Sequence, residues 1–246
     1  MTRPNAPRHH PHPHLHSMKA HISTTRRAFT LIEILVVLAI ISLIMFFSVP
    51  NMGEIIQGSK LTQAGDQLKY DLGLAQQTAV KDNLTVEVRF YQYRQPDGTV
   101  EDSKKTFSAY QMFRLIPDSE KPSDPRAERI LAPIDKIKKL PIGVVIPASN
   151  MWSTLVNSPS IANGSQEVFG LIPTEKITSA TYRSFQINPD GSTNLETSGA
   201  IQWYVTLIDS TEITRAGSSL DSLAPNNYIC IQVDPFNGST RWFQPN

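Results

Sequence analysis

The sequence predicts an α+β fold: a long N-terminal helix, membrane-spanning and then amphipathic, packed against an antiparallel β-sheet domain. Three observations carry this. Phe29 to Val49 is a 21-residue stretch whose only charge is Glu33. Apolar or small residues then recur at helical spacing from Leu61 to Ala79. From Leu84 onward the hydrophobic period changes to two, with turn chemistry between the runs.

The chain has 246 residues, enough for a membrane helix and one globular domain. Residues 1–28 carry five basic residues, no acid and all six histidines. They read as a His-rich leader that is removed, and Met18 is an alternative start that leaves a compact leader from Met18 to Ala28. The tract His9-His10-Pro11-His12-Pro13-His14 has metal-binding composition in isolation, but it falls in that leader. A chain starting at Phe29 keeps 18 basic against 22 acidic residues, a formal charge of −4. An acidic body without a basic tail argues against a nucleic-acid partner.

At ~1.5 Å per residue, a helix over Phe29 to Val49 measures roughly 30 Å, the thickness of a bilayer's hydrocarbon core. Arg26 and Arg27 stand just before it, separated from Phe29 by Ala28, which places the leader in the cytoplasm and the C-terminal domain outside the inner membrane. Glu33 lies only four residues beyond Phe29, where an unpaired carboxylate costs ~2.5–3.5 kcal/mol on the insertion scale. Pro50 closes the run and is expected to kink the helix. Beyond it Leu61, Ala64, Leu68, Leu72, Ala75 and Ala79 fall on one helix face, with Gln57, Lys60, Gln63, Asp66, Gln67, Asp71 and Gln77 elsewhere. Lys81-Asp82-Asn83 supplies the stop. The expected segments are thus a leader at 1–28, a transmembrane helix at 29–50, its amphipathic continuation at 51–83 and a β-sheet domain at 84–246.

Within that domain, Leu84, Val86, Val88 and Phe90 share one strand face, and Thr85, Glu87, Arg89 and Tyr91 the other. Gln95-Pro96-Asp97-Gly98 is a turn by its chemistry, and Thr106 to Ile116 is expected to return as one strand. Residues 117–129 read as a solvated loop, Leu140 to Ile146 as a short strand, and 147–166 as a long loop or insertion. Tyr182 to Ile187, turning through Asn188-Pro189-Asp190-Gly191 into a return strand, forms a hairpin. Trp203 to Ile208 is a strand of high β propensity. Tyr228 to Val233, turning through Asp234 to Gly238 into Ser239 to Phe243, forms the last hairpin.

Ala28-Phe29-Thr30-Leu31-Ile32-Glu33 and its aliphatic run resemble the cleavage and methylation site of type IV pilins and type II secretion pseudopilins. The resemblance implies a prepilin peptidase that cuts between Ala28 and Phe29 and N-methylates Phe29. It also implies that Glu33 pairs with a neighbouring subunit's terminal amine during assembly with other pilin-like subunits. Ala28 departs from the Gly that this family prefers. The stretch from Leu68 to Phe90 resembles the minor pseudopilin group GspH/FimT. Together with Phe185 to Leu195, Tyr228 to Pro235 and Arg241, it resembles more narrowly the D protein of the Verru/Chthon cassette.

No catalytic pattern emerges. Gly164-Ser165 and Gly217-Ser218-Ser219 lack the nucleophile-elbow pattern, and no phosphate-binding loop is present. Without histidine after residue 28, His-based general-base chemistry and most zinc sites are excluded. The turn aspartates lack the EF-hand ligand series, and no metal or cofactor is expected. Cys230 is the only cysteine and is expected to pack within its strand. The expected function is that of a structural subunit of a type IV pilus or type II secretion-like filament. The alternatives are a membrane-anchored module that binds glycan, DNA or envelope protein through residues such as Trp152, Trp203 or Trp242, and a signal-anchored protein that is never processed.

Overall fold

The computed structural model describes residues 29–92, 106–117, 130–166, 180–198, 201–215, 221 and 225–245, without the side chains of 47–55, 165 and 166. The chain divides into two compact units, Met1–Val49 and Pro50–Asn246. Helix α1 is assigned from Leu31 to Asp82, with no break at Pro50, and supplies residues to both. In the first unit it forms an apolar helix whose side chains are exposed from Leu31 to Phe46.

In the second unit, the helix face predicted by spacing is the buried one. Leu61, Ala64, Leu68, Leu72, Ala75 and Ala79 are each at most 3% exposed. Full burial of a leucine such as Leu68 contributes ~1.5–3 kcal/mol. The helix stops at Asn83, which takes a φ of 51°. The amide of Leu84 then donates to the carbonyl of Ala79 at 3.2 Å, the six-to-one bond of a Schellman stop. Asp71 departs from the expected solvent-facing set: it is fully buried.

The strands are β1 (Val86–Tyr91), β2 (Thr106–Phe107), β3 (Ala109–Ile116), β4 (Ile130–Pro133), β5 (Lys138–Lys139), β6 (Val144–Pro147), β7 (Ala162–Gln166), β8 (Ala180–Ile187), β9 (Trp203–Asp209), β10 (Tyr228–Val233) and β11 (Thr240–Phe243). Two short helices, α2 (Thr154–Asn157) and α3 (Ser210–Arg215), join them. The strands make two antiparallel sheets rather than the single sheet expected. One runs β4-β3-β1-β8-β7, with β5 also on β3, and the other β11-β10-β9-β6-β2. Val88, Phe185, Val205 and Ile231 from both sheets join the buried face of α1 in one core. Gly65 sets the approach of α1 to β10, because a Cβ there would lie 2.8 Å from the Ile229 side chain.

Several expected elements are corrected. The single strand over Thr106 to Ile116 is broken at buried Ser108: β2 pairs with β6 in one sheet, while β3 pairs with β1 in the other. The expected strand over Leu140 to Ile146 begins only at Val144, after Gly143 at a φ of 92°. The expected loop at 147–166 contains α2 and β7, and β7 pairs with β8. The return strand after Gly191 is reduced to one bridge, Ile187 to Thr193, because Thr193 donates its amide to the Pro235 carbonyl instead of continuing a ladder. That contact docks the two Gly-containing turns, and Gly238, at a φ of 65°, has no room for a side chain beside the Gly191 carbonyl. The expected turn at Gln95–Gly98 and the loop residues 118–129 lie outside the described residues.

Candidate functional site

Two of the sequence-predicted functional residues, Phe29 and Glu33, lie at the start of α1. Arg26, Arg27 and Ala28 lie outside the described residues, and Phe29 is 79% exposed. Thr30 is the N-cap of the helix. Its Oγ1 accepts the Glu33 amide at 3.3 Å, and Glu33 Oε2 in return accepts the Thr30 amide at 2.8 Å and the Thr30 hydroxyl at 2.9 Å. This is a capping box, in which two helix-terminal donors satisfy each other's side chains. Its signal, Thr-x-x-Glu before an apolar run, is legible in the sequence. The carboxylate that is costly in a bilayer also starts the helix. Both bonds fall on Oε2, which leaves Oε1 without a partner among the described residues.

Below the cap, fourteen large apolar side chains from Phe29 to Phe46 are between 43% and 80% exposed, on every side of the helix. A helix apolar all round is stable only when another surface covers it. Covering it is worth ~1.5–3 kcal/mol per large side chain, before the entropic cost of association. The one other polar group in the middle of the run, Ser42, returns its hydroxyl to the Leu38 carbonyl at 2.8 Å. Among the described residues no helix is long and apolar enough to cross a membrane, and the described side chains of the run end at Phe46. Pro50 is helical, and its side chain is not among those described.

Among the described residues of the second unit, several buried polar groups are paired with one another. Asp71 Oδ1 pairs with Lys138 Nζ at 2.7 Å, while Oδ2 accepts the Tyr110 hydroxyl at 2.5 Å and the Gln67 amide at 3.1 Å. Burial works to lower the Lys138 pKa, but the Asp71 hydrogen bond and charge more than offset it and hold the ammonium above the usual lysine range. Burial and the bond to Asp71 push the Tyr110 hydroxyl far up. On β1, Glu87 and Arg89 face away from the main core but are buried as well, paired at 2.6 Å. The Arg89 guanidinium lies 4.9 Å from the Phe113 ring centroid and 4.3 Å from that of Tyr182. Cys230 is half-buried on its strand, and burial raises its thiol pKa, the opposite of what a reactive thiolate needs. Among the described residues no three His, Cys, Asp or Glu side chains gather as metal ligands. Trp203 is in the core with its Nε1 donating to the Glu196 carbonyl at 2.8 Å, Trp152 packs edge-on against Tyr228, and Trp242 lies under Lys69 Nζ.

The model of the prokaryotic N-terminal methylation motif matches residues 24–49. No curated protein matches the chain at the level taken as significant. Among solved structures, the minor pseudopilin EpsH from the type 2 secretion system of Vibrio cholerae is similar at a TM-score of 0.38 and 10% identity, over 76% of this chain and 98% of that one. The matched motif spans the cap, Glu33 and the exposed apolar helix.

Proposed function

We propose that the chain is a minor pilin-like subunit, cut between Ala28 and Phe29 by a prepilin peptidase and N-methylated on Phe29. It is held in the inner membrane through Phe29 to Val49, with Arg26 and Arg27 on the cytoplasmic side and the β domain outside. It leaves the bilayer by packing its apolar helix against those of other pilin-like subunits in a pilus or type II secretion-like filament. The carrying observation is the apolar helix exposed on every side beneath an acidic cap, within a matched methylation motif. Helices of a filament core supply the same apolar cover as lipid and add close packing. In this reading the two oxygens of Glu33 act separately. Oε2 caps its own helix, and Oε1 meets the terminal amine of a neighbour. A desolvated charge pair of that kind fixes axial register more than it adds stability. The resemblance of Leu68 to Phe90 supports the GspH/FimT group, and that stretch together with Phe185 to Leu195, Tyr228 to Pro235 and Arg241 supports, more narrowly, the Verru/Chthon cassette D protein.

The test is the distribution of the chain between membrane and sheared filament fractions of native cells. The wild-type chain is expected in both, and Glu33→Ala in the membrane alone, at its processed size. Equal recovery of both forms in the filament fraction removes Glu33 from assembly, and absence of the wild-type chain from filaments removes the filament reading.

A further inference from the structure

A pocket of about 270 Å³ opens at one end of the second sheet, where β9 begins, β10 ends and β11 begins. Strand register builds its floor: Gln232 stands opposite Arg241, so these two side chains share one face of the sheet. Trp203 and Val233 are paired next to them on the core face, both at 1% exposure, and hold that floor rigid.

The chemistry of the walls narrows the ligand. Among the described residues the side chains of Gln202, Gln232 and Arg241 make no hydrogen bond or ion pair, so their donors and acceptors are available to a ligand. The two carboxylates of the wall are already engaged. Glu196 accepts the hydroxyls of Ser198 at 2.8 Å and Ser160 at 3.2 Å, and Asp234 accepts the Phe236 amide at 2.9 Å. They oppose an anion, which one guanidinium would have to hold against two carboxylates. A cation is opposed in turn by the Arg241 guanidinium on the same wall. The rim is apolar and flat: Phe236 is 71% exposed and Ile201 43%. A large exposed aromatic on a turn is a contact surface in search of cover. The volume lies just below the ~300–1,000 Å³ of pockets that take drug-sized ligands, so it admits one ring rather than an extended chain.

We propose that this pocket binds a single neutral pyranose unit, as a free sugar or as the terminal ring of a glycan. The ring's hydroxyl edge meets the amides of Gln202 and Gln232, which both donate and accept as a polyol requires, and the Arg241 guanidinium, which donates. Its C–H face lies on Phe236. This is independent of whether the chain enters a filament, since every residue involved belongs to the β domain.

The test is saturation-transfer NMR on the full chain in a detergent without a sugar headgroup. Methyl glucoside and N-acetylglucosamine serve as probes, with inorganic phosphate as the comparison. At least one of the two sugars is expected to give a saturable signal, weakened about tenfold by Phe236→Ala and by Gln232→Ala. Phe236 is exposed, so its replacement leaves the thermal transition unchanged and isolates the contact. Lack of saturation with both sugars, saturation by phosphate alone, or saturation that survives both substitutions overturns the proposal. A processed, filament-borne chain that fails this test keeps its structural role and loses only the sugar site.

Discussion

Asp71 is the buried charge that α1 carries into the core, and its removal tests how the helix is joined to the first sheet. In Asp71→Ala, Tyr110 loses the acceptor of its hydroxyl and Lys138 its partner at 2.7 Å. Breaking a buried pair costs ~3–5 kcal/mol, mainly through the charge left behind. Lys138 keeps a side-chain exposure of 24% and a second, looser contact with Asp135 at 3.5 Å, so its ammonium can turn towards water. The Tyr110 hydroxyl lacks that escape, being in a residue only 2% exposed, and a stranded buried donor costs ~1–3 kcal/mol. The sum expected for Asp71→Ala is therefore about 3 kcal/mol. Urea unfolding of the full chain in micelles, followed by tryptophan fluorescence, reads it as a lower midpoint at unchanged slope. Lys138→Met alone leaves Asp71 with Tyr110 and Gln67. The double variant should then recover on the order of 1–3 kcal/mol relative to the sum of the single losses. A loss below about 0.5 kcal/mol for Asp71→Ala, or strict additivity in the double variant, would mean that Asp71 does not join α1 to the sheet.

Other changes have equally definite expectations. Thr30→Val removes the hydroxyl of the cap and should cost about 1 kcal/mol of helix stability, seen as fraying in amide exchange of the first turn, while Thr30→Ser retains it. Gly65→Ala places a Cβ 2.8 Å from Ile229, so overpacking of ~1–3 kcal/mol should outweigh the helix-propensity gain of ~1 kcal/mol. Gly73→Ala meets nothing within 4 Å and should instead raise the unfolding midpoint. Alkaline pH should destabilise the body. Burial pushes Tyr91 up to about 12, and Tyr110 and Lys138 are raised too, so the folded state holds protons that the unfolded chain releases. Stability is then fully present below the unfolded pKa of ~10 and is lost as pH rises through the folded values. An unfolding midpoint that stays flat from about pH 9 to about pH 12 would count against this.

The parts legible in the sequence are those set by local periodicity. The buried stripe of α1 repeats at intervals of three and four, and its Asn83 stop is chemically marked. Strands β1, β9 and β10 have the apolar alternation or aromatic content that a pleated, packed surface demands. What escaped depends on distant partners. Nothing between Thr106 and Ile116 punctuates the run, and only the positions of β6 and β1 split it between two sheets at Ser108. Ala162 to Gln166 has little β propensity, yet the β8 backbone recruits it. Asp71 reads as solvent-facing until Tyr110 and Lys138 are brought to it from β3 and β5. At the helix start the opposite holds, since Thr30 and Glu33 are three residues apart and their mutual capping is local.

Whether this chain is a processed subunit turns on what becomes of residues 1–28. Intact-mass and N-terminal analysis of the native protein extracted from membranes settles that point. The expected product is a chain that begins at Phe29 and carries a methyl group on its terminal amine. A chain that retains the leader through Ala28 would overturn the assignment.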